Sequence, residues 1–238
     1  MKDIYLTNYS VKGIKTLDKT VSLSFYKKTI NKEPDTQEYN IKGIYGMNGS
    51  GKSGIVTSVE ILRNLIIDTG YLNNPITQNH LDAIVNKKVG ELSLEAEFMA
   101  KSGGELLLYQ YEITLSKNKT GKFTIAQECL KGKKATSKSS SLEKIYEVCD
   151  GEILFIYGSE EDNGFVAEIR NKTMNLLSTG SVSALIYDKL LCAGSDNYFL
   201  YRKDKVAQVI MNAVGMLFSL GHKLHVYLDE SDDHKPYM

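Results

Sequence analysis

Apolar and polar positions alternate along this 238-residue chain in a way that predicts strands, one helix, more strands and a helical end. "DIYLTNYSVKGIKTLDKTVSLSF" predicts two strands around a turn at Gly13 to Lys19, with Val21, Leu23 and Phe25 facing one way. "YKKTINKEPDTQE" is a polar loop with Pro34 and Asp35 as turn residues, and "YNIKGIYG" is a third, short apolar strand. From Lys52 onward, Ile55, Val56, Val59, Ile61, Leu62, Leu65 and Ile66 form a helical stripe that Gly70 ends. "ITQNHLDAIVNK" predicts a short helix started by Thr77.

"ELSLEAEFMA", "ELLLYQYEITLS" and "KFTIAQECLK" follow as three strands. Ser102-Gly103-Gly104 and the segment Lys117 to Gly121 are good hairpin turns, so the three form an antiparallel meander. "GEILFIYG" adds strand, "NLLSTGSVSALIYDKLLC" and "KVAQVIMNAVGMLFSLG" predict helices, and "LHVYLDES" predicts a last strand. Mixed strands, then helices, with a meander inserted after the first helix, predict an α/β fold with an antiparallel subdomain. A single domain is expected over 1–238, with parts at 1–70, 90–160 and 170–238.

Composition changes this picture only by exclusion. Lysine plus arginine equals aspartate plus glutamate at 29 each, which removes the bulk-electrostatic argument for nucleic acid or an acidic membrane. The basic, serine-rich segment "KGKKATSKSSS" reads as an exposed loop. Cys129, Cys149 and Cys192 are odd in number and lack metal-ligand spacing, and nothing completes a zinc site beside His222 and His225. No apolar run approaches the roughly 20 residues of a membrane span, and the expected compartment is the cytoplasm.

The chemistry concentrates in "GIYGMNGSGKSGIVTSVEIL". Gly46-Met47-Asn48-Gly49-Ser50-Gly51-Lys52-Ser53 matches G-x-x-x-x-G-K-[ST], a pattern met by chance in a chain of this length on the order of one time in fifty. Glycines permit positive φ and a close approach of backbone N–H groups to phosphate oxygens. Lys52 would place a point charge on the β- and γ-phosphates, and Ser53 would offer its hydroxyl to Mg²⁺. The helix that begins there aims its positive end at the same place, with Gly54 in its first turn. The expected cofactors are ATP and Mg²⁺, held by Gly46, Asn48, Gly49, Ser50, Gly51, Lys52, Ser53 and Gly54, with Ser53 on the metal.

"YGMNGSGKS", with Asn48 before Gly-Ser-Gly-Lys-Ser, resembles the P-loop of the ABC-type ATPase heads. That group includes the SMC and RecF proteins and the bacterial OLD-like and related AAA-family ATPases. The opening "IYLTNYSVKGIKTLDKTVSLSF", with its Asn8-Tyr9 pair, and the meander resemble the first part of such heads, over residues 1 to about 130. The resemblance implies a mixed sheet around the P-loop helix with an antiparallel lobe and C-terminal helices. It also implies a homodimer of heads around Mg-ATP, an attached effector, and work on DNA or RNA or in phage defence. Asn8, Tyr9 and Gln127 come forward as nucleotide contacts by the same resemblance alone.

Such heads complete their site with a signature loop of the LSGG type and a Walker B Asp-Glu pair. Leu177-Ser178-Thr179-Gly180-Ser181 stands before a predicted helix as a signature would, and reads equally as an ordinary helix start. Asp229 and Glu230 follow an apolar run as catalytic carboxylates would, and read equally as an acidic turn. The chain ends eight residues after Glu230, and His234 is too close to Asp229 for the usual switch histidine. The expectation is the N-terminal portion of a longer ATPase. Two other classes stay open. A GTPase would need N-K-x-D, of which "NKKVG" at Asn86 lacks the aspartate, and a small-molecule kinase would need an acceptor site. A non-hydrolytic module organised by nucleotide is the third reading.

Overall fold

The computed structural model describes residues 4–25, 42–47, 49–135, 141–159, 163–188 and 203–226. Seven strands form one sheet: β1 (Ile4–Lys12), β2 (Val21–Ser24), β3 (Glu91–Ser102), β4 (Glu105–Lys117), β5 (Phe123–Lys134), β6 (Glu143–Cys149) and β7 (Glu152–Ile156). Their order is β2-β1-β3-β4-β5-β6-β7, and every neighbouring pair is antiparallel. Among the described residues the helices are α1 (Lys52–Ile67), α2 (Pro75–Ile84), α3 (Gly164–Thr173), α4 (Val182–Ile186) and α5 (Lys205–Lys223), with a 3₁₀ turn at Tyr71–Asn73.

The period-two pattern decides which face of the sheet is covered. Tyr9, Ala96, Tyr111, Leu130, Tyr146 and Ile156 are aligned across six strands and are all buried. The helices pack on that side: Tyr9 Oη donates to Ser58 Oγ of α1 at 2.7 Å, and the Val182 N–H at the start of α4 donates to Glu128 Oε2 at 2.8 Å. On β3, β4 and β5 many of the next residues face away and are polar. Gln110 donates to Glu95, Thr114 to Ser93, and Lys131 pairs with Glu112 at 2.9 Å. Among the described residues, helices cover one face of the sheet and not the other, an arrangement common for antiparallel sheets.

α5 closes the helical layer by lying directly on α1. A Cβ at Gly221 would stand 2.7 Å from Ile67 Cγ2 and 2.9 Å from Ile66 Cγ2, so only glycine permits this approach. At the other end of the chain, Gly13 turns β1 into its hairpin with φ +84° and its α-carbon against the Glu91 carbonyl.

This architecture corrects the expected α/β P-loop NTPase fold of ABC-ATPase type. Such a fold has a core of parallel strands with the P-loop between a strand and a helix, whereas the described residues form an open antiparallel sheet with helices on one face, which points to another fold. The physical reason lies in the connections. The hairpin turns between β3, β4, β5, β6 and β7 are too short for the crossovers that parallel pairing requires. The strand expected at "YNIKGIYG" does not form over 42–47, where Ile44 is half-buried and Tyr45 is 95% exposed. Residues 39–41 lie outside the described residues.

Smaller corrections follow local chemistry. α2 begins at Pro75 rather than at Thr77, because Asn74 Oδ1 accepts the Ile76 N–H and proline suits the first helical position. The helix expected from Asn175 begins only at Val182, since Ser181 caps it. Of "LHVYLDES", residues 224–226 form no strand and the rest lies outside the described residues, as do Asp229, Glu230, His234 and Cys192.

Candidate phosphate-binding loop

Residues 46–53 lead directly into α1. Ser50 N donates to Met47 O at 3.2 Å, turning the chain, and Gly49 takes φ +81°. Gly51 is the N-cap of α1 at φ +93°, and its missing Cβ would meet Leu17 Cδ2 at 2.6 Å. Glycine is required there twice over, by conformation and by the packing of the β1–β2 turn beneath it. The first N–H groups of α1, including those of Lys52, Ser53 and Gly54, have no intrahelical acceptor, and Gly51 has no side chain to cap them. The first turn holds no acidic residue, so the positive end of the helix is not offset from within.

Two ammonium groups converge on this end. Lys52 Nζ folds back over the loop and donates to Gly46 O and, at 3.0 Å, to Met47 O. Lys15, from the turn between β1 and β2, donates through Nζ to Ser53 Oγ at 3.0 Å. Gly54 is buried against Ile14 and Lys15. Gly46, Gly49, Ser50 and Ser53 are exposed, and Gly51 is buried. Asn48 lies outside the described residues. The groups that could meet an anion with several oxygens are Lys52 Nζ over the loop, Lys15 Nζ on Ser53, and the N–H groups at the start of α1.

A metal has less to hold it. Ser53 offers one hydroxyl, already accepting from Lys15. Among the described residues no group of three or more His, Cys, Asp or Glu side chains could hold a metal ion. Mg²⁺ bound with a nucleotide would take its remaining oxygens from the phosphates, from water and from residues outside those described.

Of the second half of the expected site, Asp229 and Glu230 lie outside the described residues, and the signature candidate stands away from this chain's own loop. Residues 177–181 stand at the opposite end of α1. Ser181 Oγ donates to Leu65 O at 2.7 Å, and a Cβ at Gly180 would stand 3.3 Å from Thr69 O. Leu65 is about 18 Å along the helix axis from Ser53. Ser178 O accepts the Ile125 N–H at 2.9 Å, and Ser181 Oγ caps α4 through the Ala184 N–H. This stretch anchors α1 and α4 to β5. Tyr9 is buried with its hydroxyl on Ser58, and Gln127 lines a groove of about 130 Å³ on the solvated sheet face with Glu112, Cys129, Glu147 and Cys149. Neither reaches the loop.

Sequence reading missed two groups. Lys15 is one; its only signal was a lysine in a turn. The other is Glu128, fully buried, whose Oε1 accepts from Tyr111 Oη at 3.1 Å and Tyr146 Oη at 2.8 Å while Oε2 accepts from Val182 N. Burial raises the Glu128 carboxyl above its ordinary range although these donors oppose the shift. Its signal was a lone acid in the apolar run "IAQECL".

No helix among the described residues is long and apolar enough to cross a membrane. No protein-family model and no curated protein matches the chain.

Proposed function

We propose that the loop Gly46–Ser53 and the first turn of α1 bind the phosphates of ATP together with Mg²⁺. The carrying observation is the helix N-terminus capped by a positive-φ glycine, lacking any acid in its first turn, with Lys52 folded over the loop. This chemistry is local and does not depend on whether the surrounding sheet is parallel. On binding, Lys52 exchanges two backbone carbonyls for phosphate oxygens, and the free N–H groups of α1 gain anionic acceptors. Mg²⁺, when bound, neutralises phosphate charge, and Ser53 is the residue of this loop that would ligate it. Asp229 and Glu230 are the carboxylates the sequence offers for activating water.

Calorimetric titration of Mg-ATP and Mg-GTP into the wild type and Lys52→Ala tests this, with phosphate release from the same samples. Wild type is expected to bind ATP, and Lys52→Ala to bind at least about tenfold more weakly, the loss of a charge-assisted contact. Equal heats from the two proteins would overturn the assignment. Phosphate release that falls to the blank in Asp229→Asn or Glu230→Gln would add hydrolysis. Binding without release leaves a nucleotide-organised module.

A further inference from the structure

The placement of Lys15 carries an inference that rests on the phosphate-loop reading and specifies how that site handles charge. Lys15 is a non-glycine residue at φ +48°, a conformation that costs a residue with a Cβ about 1 kcal/mol. Three backbone-directed contacts fix the turn around it. Its N–H donates to Ile84 O at 2.6 Å, its carbonyl accepts from Asn86 Nδ2 at 2.7 Å, and Asn86 N donates to Gly13 O at 2.9 Å. The end of α2 thus presses the β1–β2 turn into a shape that sends the lysine side chain across to α1.

What the ammonium meets there is a neutral hydroxyl. Among the described residues, the carboxylates on and beside this turn hold other lysines: Asp18 pairs with Lys88 at 2.9 Å, and Glu91 with Lys12 at 3.2 Å. Lys15 donates instead to Ser53, on the same loop that Lys52 occupies and at the positive end of α1. Two like charges beside a helix N-terminus with no acid in its first turn repel one another and the helix dipole. An anion in their midst reverses that cost. Moreover, Ser53 Oγ is the oxygen that a phosphate-bridging divalent cation would take, and the ammonium already holds it.

We propose that Lys15 is a phosphate-binding residue of this site and stands in for much of the divalent cation's charge, so that ATP binding persists without Mg²⁺. Lys52 covers the phosphates from the loop, and Lys15 covers them from the Ser53 side. Magnesium and the Lys15 ammonium compete for Ser53.

The test is titration of ATP into wild type, Lys15→Gly, Lys15→Arg and Lys52→Ala, each with MgCl₂ and with EDTA. Lys15→Gly removes the cation while relaxing the positive φ, so loss of binding does not arise from a strained fold, and its melting temperature is measured alongside. Wild type is expected to bind in EDTA within about tenfold of its affinity in MgCl₂. Lys15→Gly is expected to lose at least about tenfold in EDTA and less in MgCl₂, and Lys15→Arg to keep most of the affinity. Wild-type binding only with Mg²⁺, or Lys15→Gly binding like wild type in EDTA, overturns the role of Lys15 and leaves the Lys52 loop intact. Failure of wild type to bind ATP under either condition overturns the loop assignment and this inference together.

Discussion

At the scale of single residues, the most consequential side chain away from the loop is Glu128. A carboxyl sealed between Tyr111, Tyr146 and the start of α4 is desolvated, and desolvation outweighs its three donors in setting its proton affinity. Its folded pKa therefore lies above that of the unfolded chain. Between the two values the folded state binds more protons, so the contribution of Glu128 to stability is complete below the ordinary carboxylate range and is lost as pH rises through the raised value. Glu128→Gln keeps the shape and cannot ionise. Urea unfolding between about pH 5 and about pH 8 is expected to show wild-type stability falling with a slope that the variant lacks. Equal slopes would place the ionisation elsewhere. The same burial raises the Tyr111 and Tyr146 hydroxyls, with the Glu128 charge adding to it, so both remain donors across this range.

At the scale of elements, the contact between α1 and α5 holds the helical layer together. α5 buries Val206, Ile210, Val214, Leu217 and Leu220 at helical spacing, and Asp204 caps it by accepting from the Val206 and Ala207 N–H groups. Asn163, the cap of α3, donates to Asp204 at 2.8 Å, so the two helix starts are joined. Gly221 lies against Ile66 and Ile67 of α1 with no room for a Cβ. Gly221→Val would push methyl groups into Ile66 and Ile67 and separate the helices; a loss of about 1–3 kcal/mol in denaturant unfolding is expected, the usual cost of overpacking. A neutral result would mean that α5 slides along α1 without penalty. Because α1 carries the proposed phosphate loop at one end and meets residues 180–181 at the other, such a shift is also expected to weaken the proposed ATP binding.

At the scale of the molecule, one antiparallel sheet supports everything else. β3, β4 and β5 are long and central, whereas β2 has four residues and β7 five, and they end the sheet among the described residues. Amide hydrogen exchange is expected to be slowest for the amides of β3, β4 and β5 and fastest in β2 and β7, because edge strands open without disrupting the core. Uniform protection across all seven strands would indicate that the edges are covered. Among the described residues the helices lie on one face, and the row Glu95, Glu112, Cys129 and Glu147 and the row Gln110, Lys131 and Lys144 lie on the other, with Cys129 itself buried.

The amino-acid sequence by itself determined the features with a local cause. The meander of β3, β4 and β5 follows from period-two alternation and from turns such as Ser102-Gly103-Gly104, and α1 and α5 follow from their apolar stripes. The glycine at position 51 was legible because both the motif and a helix start demand it. What the tertiary structure decided is what depends on residues distant in the chain. An apolar stretch such as "YNIKGIYG" becomes a strand only where neighbouring strands offer it hydrogen bonds, and over 42–47 no described strand does so. Strand direction was set by which hairpins pair, not by the composition of any strand. Lys15 reaches Ser53 because α2 clamps its turn, and Glu128 is buried because β4, β6 and α4 bring three donors to it; neither partnership has a trace in the spacing of residues along the chain.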